Sequence, residues 1–274
     1  MRQTPSYQNL FEIMKLKNQV ALVTGASGGI GSAICRVLAE EGASIMLHTH
    51  KRIEHCNALE SELMDSRCHD GQSFFTQQAD LLYESEALRL VKGALARFSR
   101  LDILINNAGW SKAVAASDLS GLDDQLIEHT LRLKINAPLY LIRSAEPFLS
   151  ASPAGQIINI TSVAGIASRG SSIVYAAANA ALSSLTRSLA RSLAPRVRVN
   201  AVAPGFVDTG FVWPAGGPAK AHVSSHNYIG RTVEPEDVAE AVRFLACSAS
   251  SVTGEELAID GGIGRLGKND KPFL

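Results

Sequence analysis

Glycines at positions 25, 29 and 31, in Thr24-Gly25-Ala26-Ser27-Gly28-Gly29-Ile30-Gly31, follow a short apolar run and precede a helical pattern. Glycine lets the backbone turn tightly and approach a phosphate, whose charge the N-terminus of the following helix favours. The spacing is G-x-x-x-G-x-G; a G-x-G-x-x-G frame starting at Gly29 would need glycine where Ile34 stands. An ordinary flexible turn is the plainer alternative. Further along, His48-Thr49-His50-Lys51-Arg52 contains no acid before Glu54. A carboxylate there would bind a ribose 2′-hydroxyl, whereas His50, Lys51 and Arg52 can accommodate a 2′-phosphate or simply face solvent. The chemistry indicated is binding of a dinucleotide, NADP(H) in preference to NAD(H).

These residues need a strand–helix–strand frame to hold them. Val20-Ala21-Leu22-Val23 lacks polar alternation, as in a strand covered on both faces. Ile30, Ile34, Val37 and Leu38 then recur at helical spacing up to Gly42, and Ser44 to Leu47 forms a second apolar run. Further strands are predicted at 73–77, 101–106, 156–161, 197–202 and 257–260, with helices notably around 84–98, 122–149, 172–193 and 235–247. Seven strands alternating with six helices predict an α/β fold. It is a single doubly wound Rossmann-type domain, a seven-stranded parallel sheet flanked by helices on both faces. The domain is expected over 18–264, after an extension at 1–17 whose Leu10, Phe11, Ile13 and Met14 can pack on a neighbour, and before a tail at 265–274. The segment 206–232, rich in Gly, Pro, Ser and His, has no clear periodicity and reads as a flap.

Composition removes several classes of function. The 274 residues are 46% hydrophobic and 19% charged, which excludes disorder along the whole length. Lysine and arginine number 26 against 26 acidic residues, so no basic excess marks a nucleic-acid partner. The sequence contains no uninterrupted apolar run that could span a bilayer and no evident secretory signal, so a membrane partner is not expected. Cysteines at 35, 56, 68 and 247 show no C-x-x-C pairing, and read as reduced thiols of a cytoplasmic protein with no metal site.

The chain resembles the short-chain dehydrogenase/reductase family. The likeness rests on Gly25-x-x-x-Gly29-x-Gly31 after the first strand, Asn106-Asn107-Ala108-Gly109 after the fourth, Ser162 after the fifth, and Tyr175 thirteen residues later. Asp80, Asn136, Pro204-Gly205 and Asp260-Gly261-Gly262 fall in matching order, so that the likeness covers residues 15–263. The 48–52 run is similar to that of pteridine-reductase-like members, and the remainder to 3-oxoacyl-carrier-protein reductases. The resemblance implies that Gly25, Ser27, Gly29, Ile30 and Gly31 line the pyrophosphate and adenosine side, and that Asp80 and Leu81 adjoin the adenine. It implies further that Asn107, Ala108 and Gly109 follow the adenine ribose and the cleft floor. Pro204, Gly205, Val207 and Thr209 would hold the nicotinamide.

The same resemblance implies reduction of a ketone or imine-like bond of a small-molecule substrate. Ser162 would hydrogen-bond the substrate oxygen, Tyr175 would deliver the proton, and Asn136 would hold a water that restores it. A free tyrosine has a pKa near 10 and needs a nearby cation to exchange protons readily at neutral pH. The family supplies a lysine four residues after the tyrosine; here that position is Asn179. A unit charge about 5 Å away, at an effective dielectric of about 20, is worth roughly 3 kcal/mol, or about two pKa units. Asn179 can still hold ribose hydroxyls and a water. Three origins fit: a reductase using another cation such as Lys112, a relative recruited to redox-neutral chemistry or to NADP(H) binding without turnover, or an introduced substitution.

The flap is expected to close over the substrate with residues after Gly109 and Ser162. Trp110, Phe211, Trp213 and Tyr228 could line a pocket, and Lys112 and Arg169 could meet an anionic group. Alternatively, the flap aromatics anchor it to the core. The amphipathic stretches 122–149 and 172–193 are those through which members of this family pair, so the resemblance implies a homotetramer or homodimer.

Overall fold

Residues Val20–Val23 form strand β1, whose side chains alternate between two cores: Ala21 and Val23 enter one, Val20 and Leu22 the other. Burial on both faces is why this strand reads as an unbroken apolar run. A computed structural model describes residues 14–267. The expectations for Leu10, Phe11 and Ile13, and for 268–274 of the tail, lie outside the described residues. Leu16 is buried, and its N–H donates to the Glu41 carbonyl.

In chain order β1 is followed by α1 (Gly29–Glu40), β2 (Ser44–Thr49), α2 (Ile53–Asp65), β3 (Phe74–Gln78), α3 (Glu84–Phe98) and β4 (Ile103–Asn106). Then come α4 (Asp124–Leu131), α5 (Ala137–Ala151), β5 (Gln156–Ile160), α6 (Val163–Ala167), α7 (Ile173–Leu193) and β6 (Arg198–Pro204). The chain continues through α8 (Pro218–His226), α9 (Pro235–Cys247), β7 (Glu256–Ile259) and α10 (Ile263–Leu266). The sheet has seven strands in the order β3-β2-β1-β4-β5-β6-β7, and every pairing is parallel. Helices α1, α2 and α9 cover one face; α3, α5 and α7 cover the other. The strand order reverses between β1 and β4, which opens a crevice at their carboxyl ends where such sheets bind ligands.

Two stretches differ from the sequence expectation. The predicted helix at 122–149 is three pieces, because a π-helical segment, Arg132–Asn136, separates α4 from α5. Pro138, in the first turn of α5, has no N–H for the carbonyl of Lys134 four residues before it, so the regular ladder breaks there. The flap at 206–232 contains α8, which has no buried residue and therefore no apolar stripe to reveal it.

Candidate active site

The glycine turn is shaped by backbone demands. Gly25 has φ +68°, a left-handed conformation that side chains disfavour. A Cβ on Gly31 would overlap the Gly25 carbonyl oxygen and lie 2.8 Å from Asn107 Nδ2. Thr24 Oγ1 accepts from the N–H groups of Asn107 and Ala108, both at 2.9 Å, while Asn107 Nδ2 donates to Thr24 O at 2.8 Å. The β4 turn thus fastens the β1 turn across the switch point. Gly31→Ala is expected to weaken NADPH binding at least about tenfold, because the clash is with backbone and costs on the order of 1–3 kcal/mol. Fluorescence titration with NADPH would measure this.

Of the basic run, His48 is buried and serves as a brace. Its Nδ1 accepts from Gly25 N–H at 3.1 Å and its Nε2 lies 3.0 Å from Ala79 O, an arrangement that assigns the proton to Nε2. Burial pushes its pKa down to about 4, so the ring is neutral. Lys51 and Arg52 are exposed, and Arg52 Nη2 lies 3.7 Å from where a Gly28 Cβ would stand, beside the glycine turn. His50 Nε2 is 3.6 Å from the Asp80 carboxylate, whose other oxygen accepts from Leu82 N–H at 3.1 Å. Leu81 is buried next to it. Ser27 Oγ shares a hydrogen bond with Thr49 Oγ1 at 2.8 Å.

Beyond β6 the chain returns to the same crevice. A Cβ on Gly29 would come 2.5 Å from Thr209 Cγ2, and one on Gly205 would come 2.9 Å from Asp260 Cα. Val207 bridges to Val233. Pro204, Gly205, Val207 and Thr209 therefore run along the carboxyl end of the sheet and finish over the glycine turn.

The groups suited to proton transfer stand further along the sheet. Ser162 caps α6, its Oγ accepting from Ala164 N–H at 3.2 Å. Ser172 caps α7 by accepting from Tyr175 N–H at 3.1 Å, which places the tyrosine in the helix's first turn. Part of the Tyr175 residue is exposed, yet burial of the phenol raises its pKa, a shift that the polar side chains of Ser162 and Asn179 oppose. Asn179 is fully buried: Nδ2 donates to Tyr175 O at 2.8 Å, while Oδ1 has no partner among the described residues. Phe211, from the loop after β6, lies 6.3 Å from the Tyr175 ring.

Asn136, expected to hold a water, lies at the end of the π-helical segment. Its Nδ2 points to Tyr140 Oη at 3.4 Å. The side chain that enters the site from this helix is Lys134, whose Nζ lies 5.8 Å from the Tyr175 ring centroid and donates to Ile160 O at 3.0 Å. Burial lowers its pKa to about 8. Lys112, the cation considered from sequence, is exposed with Nζ 3.9 Å from the Asp123 carboxylate. Arg169 donates to Ile263 O at 3.0 Å, and Trp110 stacks on His129 at 4.5 Å. Phe206 meets Trp213 at 6.1 Å, so one flap aromatic is anchored to its own loop while Phe211 reaches the tyrosine. Sequence reasoning missed Lys134, Thr24 and the bracing role of His48. The one available signal was a lysine flanked directly by Leu133 and Ile135.

Among the described residues no helix is long and apolar enough to cross a membrane, and no cluster of three or more His, Cys, Asp or Glu side chains could hold a metal ion.

A family model described as enoyl-(acyl carrier protein) reductase matches residues 25–264. Cis-4-hydroxycyclohexanecarboxylate dehydrogenase of Sinomonas cyclohexanicum is 37% identical over 248 residues, covering 89% of this chain and 96% of its own. The 3-oxoacyl-[acyl-carrier-protein] reductase of Synechocystis is 33% identical over 251 residues, covering 90% and 98%. Among solved structures, a short-chain dehydrogenase from Burkholderia cenocepacia J2315 in complex with NADP superposes with a TM-score of 0.83 at 32% identity, covering 90% of this chain and 98% of that one. The chain belongs to the short-chain dehydrogenase/reductase family, and its fold and relatives define it as an oxidoreductase.

Proposed function

We propose that this protein is an NADP(H)-dependent reductase of a ketone, or of a similar C=X bond, in a small-molecule substrate. The observation that carries the reading is the convergence of Tyr175, Ser162 and Phe211 at the same edge of the sheet as the glycine turn. The residues fit a dinucleotide: the turn excludes Cβ atoms at Gly25 and Gly31, Arg52 lies beside it, and the Asn179 Oδ1 acceptor is buried with no partner among the described residues. Gly25, Ser27, Gly29, Ile30 and Gly31 would hold the pyrophosphate side. Asp80, Leu81 and the 107–109 turn would adjoin the adenosine, and Pro204, Gly205, Val207 and Thr209 the nicotinamide.

A bound nicotinamide cofactor supplies a hydride. The protein's own work is to orient the carbonyl and to offer a proton. Ser162 Oγ donates to the substrate oxygen, Tyr175 Oη releases its proton to that oxygen, and Phe211 narrows access for water. A neutral phenol is already the acid that reduction requires, and the burial that raises the Tyr175 pKa keeps it protonated at neutral pH. Exposed apolar side chains on α5 (Leu139, Phe148) and α7 (Ile173) support pairing of these helices between subunits.

The cofactor preference is tested by exchanging the basic groups. Arg52→Ala and Lys51→Ala are each expected to weaken NADPH binding by about tenfold or more and to leave NADH binding nearly unchanged, since a charge-assisted contact contributes about 1.5–3 kcal/mol. Equal affinity of the unaltered protein for the two cofactors would remove the role given to these residues. The reaction class is tested by NADPH oxidation over a broad panel of ketones; binding of NADPH with turnover of none would overturn it.

A further inference from the structure

Lys134 is a buried ammonium group that forms no salt bridge among the described residues and donates only to Ile160 O. Such burial is costly unless the site uses the charge. The π-helical segment turns this side chain inward, toward Ile160 O at the end of β5 and toward the face of the Tyr175 ring. A Cβ on Gly109 would come within 3.2 Å of Lys134 Cε, so the turn after β4 leaves room for the lysine chain. One helical turn after the tyrosine, donating to its backbone carbonyl, stands the Asn179 amide, fully buried, with its acceptor free among the described residues.

The geometry points to an exchange of roles between two helices: Lys134, from the segment before α5, supplies the positive charge beside Tyr175, and Asn179, in α7, takes the neutral amide position. In the pattern the resemblance implies, the amide lies on the earlier helix and the lysine follows the tyrosine. This inference rests on reading the site as a carbonyl reductase. Lys134 is a positioning residue that acts through Tyr175. In reduction the Tyr175 O–H bond breaks as its proton passes to the substrate oxygen. The carbonyl carbon gains a hydride from NADPH, which is oxidised to NADP+. Lys134 stabilises the tyrosinate left behind until water returns a proton to it.

The other polar groups acting on the phenol are Ser162, from the turn after β5, and Asn179, from its own helix; both are uncharged. Phe211 brings no charge from the loop after β6. While Lys134 is protonated, below about pH 8, a unit charge at this range favours tyrosinate by about two pKa units, or about a hundredfold. The limb seen in a pH profile belongs to the lysine–tyrosine pair jointly.

The test compares Lys134→Met, Lys134→Asn and the double variant Lys134→Asn/Asn179→Lys with the unaltered protein. Reduction needs the protonated phenol, so its rate falls as pH rises through the limb. Without Lys134 that limb is expected about two pH units higher, and alcohol oxidation at pH 7, which needs tyrosinate, falls about a hundredfold. The double variant is expected to recover most of the oxidation rate that Lys134→Asn loses, which a merely structural lysine would not produce. A readout independent of turnover is the Tyr175 Cζ resonance of the 13C-tyrosine-labelled protein without cofactor, assigned by its loss in Tyr175→Phe; loss of the Lys134 proton beside the ring should shift it with a midpoint near pH 8, and that step should vanish in Lys134→Met. A step that persists in folded Lys134→Met, the absence of any step in the unaltered protein, or a folded double variant no better than Lys134→Asn, overturns the inference. If no ketone is reduced at all, the reductase reading fails, while the Tyr175 resonance still decides whether Lys134 charges the ring's surroundings.

Discussion

Tyr175→Phe is expected to lower kcat for carbonyl reduction by roughly 10²–10⁴-fold, the usual contribution of a positioned general acid. The substitution removes only Oη. The ring remains beside Phe211 at 6.3 Å, and the Ser172 cap that fixes the start of α7 is to the backbone N–H, which phenylalanine keeps. NADPH affinity and thermal stability should therefore change little, and the loss should fall on kcat and not on cofactor binding. Steady-state kinetics with a ketone the protein reduces, alongside NADPH titration, would separate the two. A variant within a factor of about ten of the unaltered protein would show that another group delivers the proton. Ser162→Ala should cost less, since it removes an orienting hydrogen bond and leaves the acid in place.

The second large effect concerns stability. Asp102 is fully buried just before β4, where it accepts from Val20 N–H at 2.8 Å and from Arg100 Nε and Nη2, each at 2.8 Å, and from the Ser152 hydroxyl. One carboxylate thus ties the start of β1 to the start of β4 and to the chain after α5. Asp102→Ala leaves the Val20 N–H and the Arg100 guanidinium without it. Removing one partner of a buried ion pair costs about 3–5 kcal/mol, and the partial exposure of Arg100 places the expected loss near the lower figure. That corresponds to a Tm lower by roughly 10 °C for a domain of this size, with a lower urea midpoint and an unchanged m value. The site lies at the opposite, carboxyl end of the strands, so kcat of the folded fraction should stay the same. A change below about 1 kcal/mol would show that water replaces the carboxylate at little cost.

The parts most legible in the sequence were those set by local chemistry. The Val20–Val23 run, the glycine turn and the Asn106–Gly109 turn are short segments whose composition dictates their geometry, and the structure brings both turns together at the switch point. Helix α8 was not legible, because a helix that buries nothing needs no apolar period. His48 read as one of several basic residues. Its place in β2, a strand buried throughout, makes it a neutral brace for Gly25.

Lys134 and Asn136 show most clearly where the sequence stops. Two residues apart, they point to opposite sides of a regular helix, and either could serve an active site. Pro138 breaks the ladder at the Lys134 carbonyl, and the π-helical turn that results sends the lysine toward Tyr175 and the amide toward Tyr140. By itself the sequence determined the family, the parallel sheet, the glycine turn and the presence of an amide at 179, because these follow from residue types at fixed spacing. Which cation faces the tyrosine was decided only by the tertiary structure. Charge acts through space, and the distance from Lys134 to Tyr175 is set by the packing of two helices, not by their separation along the chain.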